Sequence, residues 1–124
     1  MTGSRSSVLL IDAHEDVREG LQMILESEGL TVETATDPRR ALNRMIGGLR
    51  PCIILLDLMS PVMNGLEFRR ELMDHPLLRS IPLLAYAGLK GVRAKAREIA
   101  VDASSHVPAE IDRLISAVRQ HCAA

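Results

Sequence analysis

Apolar positions along the chain fall into five short, strand-sized runs. Each is followed by a stretch in which they recur three and four residues apart, the spacing of one helix face. Val8-Leu9-Leu10-Ile11 is the first run. In residues 16–28, Val17, Leu21, Ile24 and Leu25 share a face, and Gly29 stands where a helix-ending glycine is expected. Residues 31–36 alternate and are rich in β-branched side chains, which predicts a strand at or near a sheet edge. Asp37-Pro38 reads as an N-cap with a first-turn proline. The helix it opens carries Leu42, Met45, Ile46 and Leu49, and Gly47-Gly48 predicts a weak end. Cys52-Ile53-Ile54-Leu55-Leu56 shows no alternation and ends at Asp57, so it reads as a central parallel strand buried on both faces. A loop over 58–63 leads to Asn64-Gly65 and a helix to about residue 74, which His75-Pro76 breaks. Residues 81–87 form the expected fourth strand and 91–101 a fourth helix, amphipathic through Val92, Ala96, Ile99 and Ala100. Residues 104–107 form a short fifth strand, and 108–121 a last helix with Ile111, Leu114, Ile115 and Val118 on one face.

A strand-helix unit repeated five times, with short connections and right-handed crossovers, gives a parallel sheet with helices on both faces. The expected fold is a single doubly wound α/β domain, a flavodoxin-like three-layer sandwich of strand order 2-1-3-4-5. Such sheets place their sites beyond the carboxyl ends of the strands, where the order reverses. Here that point lies between strands 1 and 3, which end in Asp12 and Asp57. One domain over 1–124 is expected, with a flexible N-terminus at 1–6 and a tail at 122–124; no repeat or linker is visible.

Composition narrows the function classes. The 124 residues are 47% hydrophobic and 25% charged, with a net charge of -1, so no global field draws nucleic acid or a membrane surface. Aromatic residues at 2% leave no base-stacking platform. Residues 1–7 lack the apolar core of a signal peptide, and no run reaches membrane-spanning length. Cys52 and Cys122 make neither a metal-ligand pair nor a disulfide scaffold, so a reduced cytoplasmic setting is expected, with Cys52 buried and inert.

The segment Leu55-Leu56-Asp57-Leu58-Met59-Ser60-Pro61-Val62-Met63-Asn64-Gly65, with its proline four and its glycine eight residues after Asp57, resembles the receiver domains of response regulators. Val8 to Arg18 resembles the first strand and acidic loop of the same family, and the likeness covers roughly residues 6–120. The resemblance implies a non-enzymatic signalling domain of a two-component or phosphorelay system. Asp57 would be its phosphoacceptor, and a histidine kinase or phosphotransfer protein its donor. It implies Mg²⁺ held by Asp12, Asp57 and the backbone carbonyl of Met59. It also implies a partner and dimerisation face on the fourth helix, fifth strand and fifth helix, where Lys90, Arg93, Lys95 and Arg97 cluster and would suit an acidic partner.

Several signature positions depart from the family. Ala13 stands where a second acidic residue is usual, Ala87 where a hydroxyl senses the phosphoryl group, and Val107 where a lysine neutralises it. His106 occupies the usual aromatic position. Removing one preorganised charge-stabilising donor costs about 3 kcal/mol in catalytic sites, so phosphorylation is expected to be slow. Metal binding is expected to be weak, with His14 and Glu15 as substitute ligands or, more simply, solvated loop residues. Tyr86 is expected either to pack at the strand end or to cap the emptied pocket. The alternative to a phosphoaccepting domain is a phosphorylation-independent module for binding other proteins. A flavodoxin-like cofactor enzyme is disfavoured, because Asp12-Ala13-His14-Glu15-Asp16 repels phosphate. Ser104-Ser105-His106 carries no catalytic expectation, since neighbours along a strand point to opposite faces.

Overall fold

The computed structural model describes residues 7–58, 63, 65–86 and 109–122. Its strands are β1 (Ser7–Ile11), β2 (Thr31–Ala35), β3 (Ile53–Asp57) and β4 (Leu83–Tyr86). Its helices are α1 (Glu15–Ser27), α2 (Pro38–Ile46), α3 (Gly65–Met73) and α4 (Ala109–His121). All described strand pairs are parallel, in the order β2-β1-β3-β4. This is the expected doubly wound order. The expected fourth helix and fifth strand, with Lys90, Arg93, Lys95, Arg97, His106 and Val107, lie outside the described residues, as do Met59 and Ala87.

The unalternating apolar runs are explained by the two faces of the sheet. Successive side chains of a strand point to opposite sides. Val8 and Leu10 of β1, with Ile53 and Leu55 of β3, enter one cluster with Leu21, Ile24 and Leu25 of α1 and Ile111, Leu114, Ile115 and Val118 of α4. Leu9, Ile11, Ile54 and Leu56 enter the other, against Ala41, Leu42 and Met45 of α2 and Phe68 and Leu72 of α3. Every residue of β1 and β3 is buried, whereas the edge strand β2 begins exposed and is only half-buried at its centre.

Local signals set the helix ends. Asp37 accepts from the amide of Arg40 at 2.9 Å, with Pro38 in the first turn. Gly29, at φ 84°, ends α1: its amide donates to the carbonyl of Glu26 and that of Leu30 to Leu25, the paired bonds of a Schellman cap. Gly48, at φ 125°, repeats this on Met45 and Arg44. The glycine pair expected to weaken the end of α2 therefore closes it.

The cysteines require a correction. Cys52 and Cys122 are joined by a disulfide across a sequence separation of 70, with Cα atoms 5.3 Å apart. Cys122 is 3% exposed and packed in the α1–α4 cluster, so it is not part of a loose tail, and Cys52 is not an isolated inert thiol. The docking of α4 along β1 and β3 brings the two together. Sequence spacing alone carries no sign of that contact.

Candidate functional site

The site forms at the carboxyl ends of three adjacent strands. Asp12 follows β1, Asp57 closes β3, and Tyr86 closes β4 in register with Asp57. The ladder continues past β4, with the Leu58 amide donating to the Tyr86 carbonyl at 2.8 Å. On the other side the Asp12 amide donates to Ala35 of β2 at 3.1 Å. Both carboxylate residues are 1% exposed. Strand order thus places two buried acidic groups at the switch point, as the sequence led us to expect.

Asp12 does not cap α1 directly. Its Oδ1 accepts from the backbone amide of His14 at 2.8 Å, a local turn that lifts the chain from β1 into α1. The same turn swings the imidazole back over the acidic pair. His14 Nδ1 lies 3.1 Å from Oδ1 of Asp12 and 3.3 Å from Oδ2 of Asp57. The hydrogen bond that the imidazole donates to Asp12 and then the charge of Asp12, with smaller effects from Asp57, hold the imidazole above its ordinary value of 6.5. His14 is 58% exposed, so it covers the carboxylates from the solvent side. Glu15 begins α1, is exposed, and does not join this group.

Tyr86 completes the pocket from within. Its hydroxyl donates to Oδ2 of Asp12 at 2.6 Å, and its ring is buried in the α1–α4 cluster. Burial, then the hydrogen bond to Asp12, drives the phenol far above its ordinary value, so it remains a donor. Arg18, which sequence reasoning missed, turns back from α1 to donate to the Asp12 carbonyl at 3.0 Å. Its position one turn into the helix, on the side of the strand end, was the available signal.

Asp12, His14 and Asp57 offer ligand atoms that lie within 4.8 Å of one another, a spacing that could hold a metal ion. The donor set is two carboxylates and one imidazole, and Ala13 adds nothing. Mg²⁺ commonly binds through one or two carboxylates and keeps several waters, so Asp12 and Asp57 fit it. The exposed imidazole is the group that yields space.

Residues 8–119 match the family described as the response regulator receiver domain. Relatives include the alkaline phosphatase synthesis transcriptional regulatory protein SphR of Synechococcus elongatus, 31% identical over 105 residues, which cover 78% of this chain and 41% of that protein. A protein-glutamate methylesterase/protein-glutamine glutaminase of Anaeromyxobacter dehalogenans is 36% identical over 99 residues, covering 80% of this chain and 26% of that one. The chain thus spans less than half the length of these two relatives. A transcriptional regulator stands among the relatives, so the expected absence of a nucleic-acid partner finds no support there. Among solved structures, the signal receiver domain of a histidine kinase from Syntrophus aciditrophicus aligns with a TM-score of 0.70 at 28% identity, covering 93% of this chain and 88% of that one. The chemotaxis protein CheY4 of Vibrio cholerae aligns at 0.69 and 26% identity, covering 94% and 98%. With its doubly wound sheet and paired carboxylates at the switch point, this chain belongs to the response regulator receiver domain family of two-component signalling.

Proposed function

We infer that Asp57 is the phosphoacceptor of this domain, taking a phosphoryl group slowly from a histidine kinase or phosphotransfer protein. The observation that carries this reading is the placement of Asp57 at the end of the central strand β3, beside Asp12 of β1. A carboxylate oxygen of Asp57 attacks phosphorus, the bond to the donor's nitrogen breaks, and an acyl phosphate forms. Asp12, fixed by the His14 amide and the Tyr86 hydroxyl, is held as a ligand beside it. Mg²⁺ bound by Asp12 and Asp57, with the Met59 carbonyl as third protein ligand, would offset charge on the transferred group. His14, drawn to both carboxylates, competes for that position, and Ala13, Ala87 and Val107 supply none of the usual assistance. Slow transfer follows from these residues.

The cytoplasmic setting remains part of this reading, resting now on the phosphoryl donor and not on the cysteines. No helix among the described residues is long and apolar enough to cross a membrane. The proposed partner face is the basic set Lys90, Arg93, Lys95 and Arg97, whose charge suits an acidic partner protein, with a second copy of the chain as the other candidate.

A second reading has its own observation. Tyr86 donates to Asp12 and His14 lies against both carboxylates, contacts that need neither metal nor phosphate, which suits a protein-binding module independent of phosphorylation. Amide spectra recorded during titration with Mg²⁺ and beryllofluoride separate the two. Shifts spreading from Asp57 are expected; unchanged spectra at saturating concentrations would favour the second reading.

A further inference from the structure

The disulfide lies at the end of the sheet away from the carboxylates. Cys52 immediately precedes β3, whose other end is Asp57, about 16 Å away at the rise of a strand. Cys122 immediately follows α4. The bridge therefore ties the last turn of a helix to the base of the central strand. It is the one covalent link among the described residues between α4 and the sheet.

The fold does not need this link to exist. Ile111, Leu114, Ile115 and Val118 bury α4 against β1, β3 and α1, and Arg119 pairs with Glu28 at the end of α1. Scaffolds that depend on disulfides lack such a core. A bridge added to a complete core changes how firmly one element is held. Its place at a helix end matters too: terminal turns open locally at low cost, whereas the base of β3 does not. Both sulfurs are buried in the closed fold, Cys122 at 3% and Cys52 at 8% exposure, so Cys122 becomes the sulfur that small molecules reach only when its turn opens, and Cys52 at the base of β3 is the resolving partner.

We propose that Cys52 and Cys122 form a reversible thiol–disulfide site. It is oxidised by a low-molecular-weight disulfide of the glutathione class, and its closure fastens the C-terminal turns of α4 to the sheet. When the last turn opens, the Cys122 thiolate attacks one sulfur of the oxidant and its first thiolate leaves. The Cys52 thiolate then attacks Sγ of Cys122 and displaces the second. Two electrons pass from the cysteines to the oxidant, and the two protons they lose are taken up by the two released thiolates. Reduction runs the same steps backward.

The test equilibrates the full chain in buffers of varied glutathione to glutathione disulfide ratio, followed by acid quench, alkylation and intact mass. A monomer that interconverts between two alkylated thiols and none, reaching the same ratio from either direction, is expected. Amide exchange in the last two turns of α4 should be about tenfold faster in the reduced protein, as for a helix end released to local opening. Cys122→Ser should exchange at the reduced rate in every buffer, and reduced wild-type protein supplies the same comparison without a substitution. Thiols that persist under full oxidation would overturn the proposal. So would a bridge that glutathione never reopens, a bridge between two chains, or exchange rates indifferent to redox state.

Discussion

The Tyr86 hydroxyl reaches across the end of β3 to donate to Oδ2 of Asp12 at 2.6 Å, which links the ends of β4 and β1 over the strand that carries Asp57. Tyr86→Phe removes that donor and leaves a buried carboxylate short of one partner. The expected loss is about 1–3 kcal/mol in urea unfolding, the usual cost of stranding a buried polar group. A loss indistinguishable from zero would mean that the carboxylate rearranges onto water.

His14 provides a pH reading. Its imidazole is held above 6.5, chiefly by the Asp12 hydrogen bond, so the folded protein keeps this proton more tightly than the unfolded chain. The stabilisation is fully present below the unfolded value and fades as pH rises through the folded one. In a proton NMR titration the His14 ring should show an inflection above 6.5 that moves down in Asp12→Asn. An inflection at or below 6.5 in the wild type contradicts this geometry.

The family resemblance reads Ala13 as an unfilled ligand position. Ala13→Asp adds a third carboxylate to the pocket, and calorimetry should show Mg²⁺ affinity rising by roughly tenfold, since ligand charge count tunes such sites over orders of magnitude. His14→Ala should move affinity in the same direction by a smaller factor, by removing the competing imidazole. Lower affinity in His14→Ala would show that His14 acts as a ligand and not as a competitor.

Closing a loop across a separation of 70 residues restricts the unfolded chain by about 4 kcal/mol. Thermal unfolding with and without reductant should differ by roughly 10 °C or more for a domain of this size. Equal melting temperatures would place no bridge in the native state.

Much of this fold was legible because burial on both faces leaves so plain a trace. Val8-Leu9-Leu10-Ile11 and Ile53-Ile54-Leu55-Leu56 are continuous because each side of the sheet takes alternate residues into its own cluster. Asp12 and Asp57 followed from topology, since strand order alone brings them together. The contacts that finish the site were less visible. The turn at Asp12 swings His14 over the carboxylates, and Tyr86 crosses a strand to reach Asp12; both depend on backbone geometry between elements. The Cys52–Cys122 pair depends on where α4 comes to rest. Gly47-Gly48 was read by composition as weakness, when the positive φ of Gly48 is what allows the cap.

The proposed function stands on transfer of a phosphoryl group to Asp57. Intact-mass measurement during incubation with acetyl phosphate and Mg²⁺ tests it most directly, with the modified residue located by borohydride trapping. A single phosphoryl adduct on Asp57 is expected, one that accumulates slowly, requires Mg²⁺ and is absent in Asp57→Asn. No adduct at saturating donor, or an equal adduct in Asp57→Asn, would contradict it.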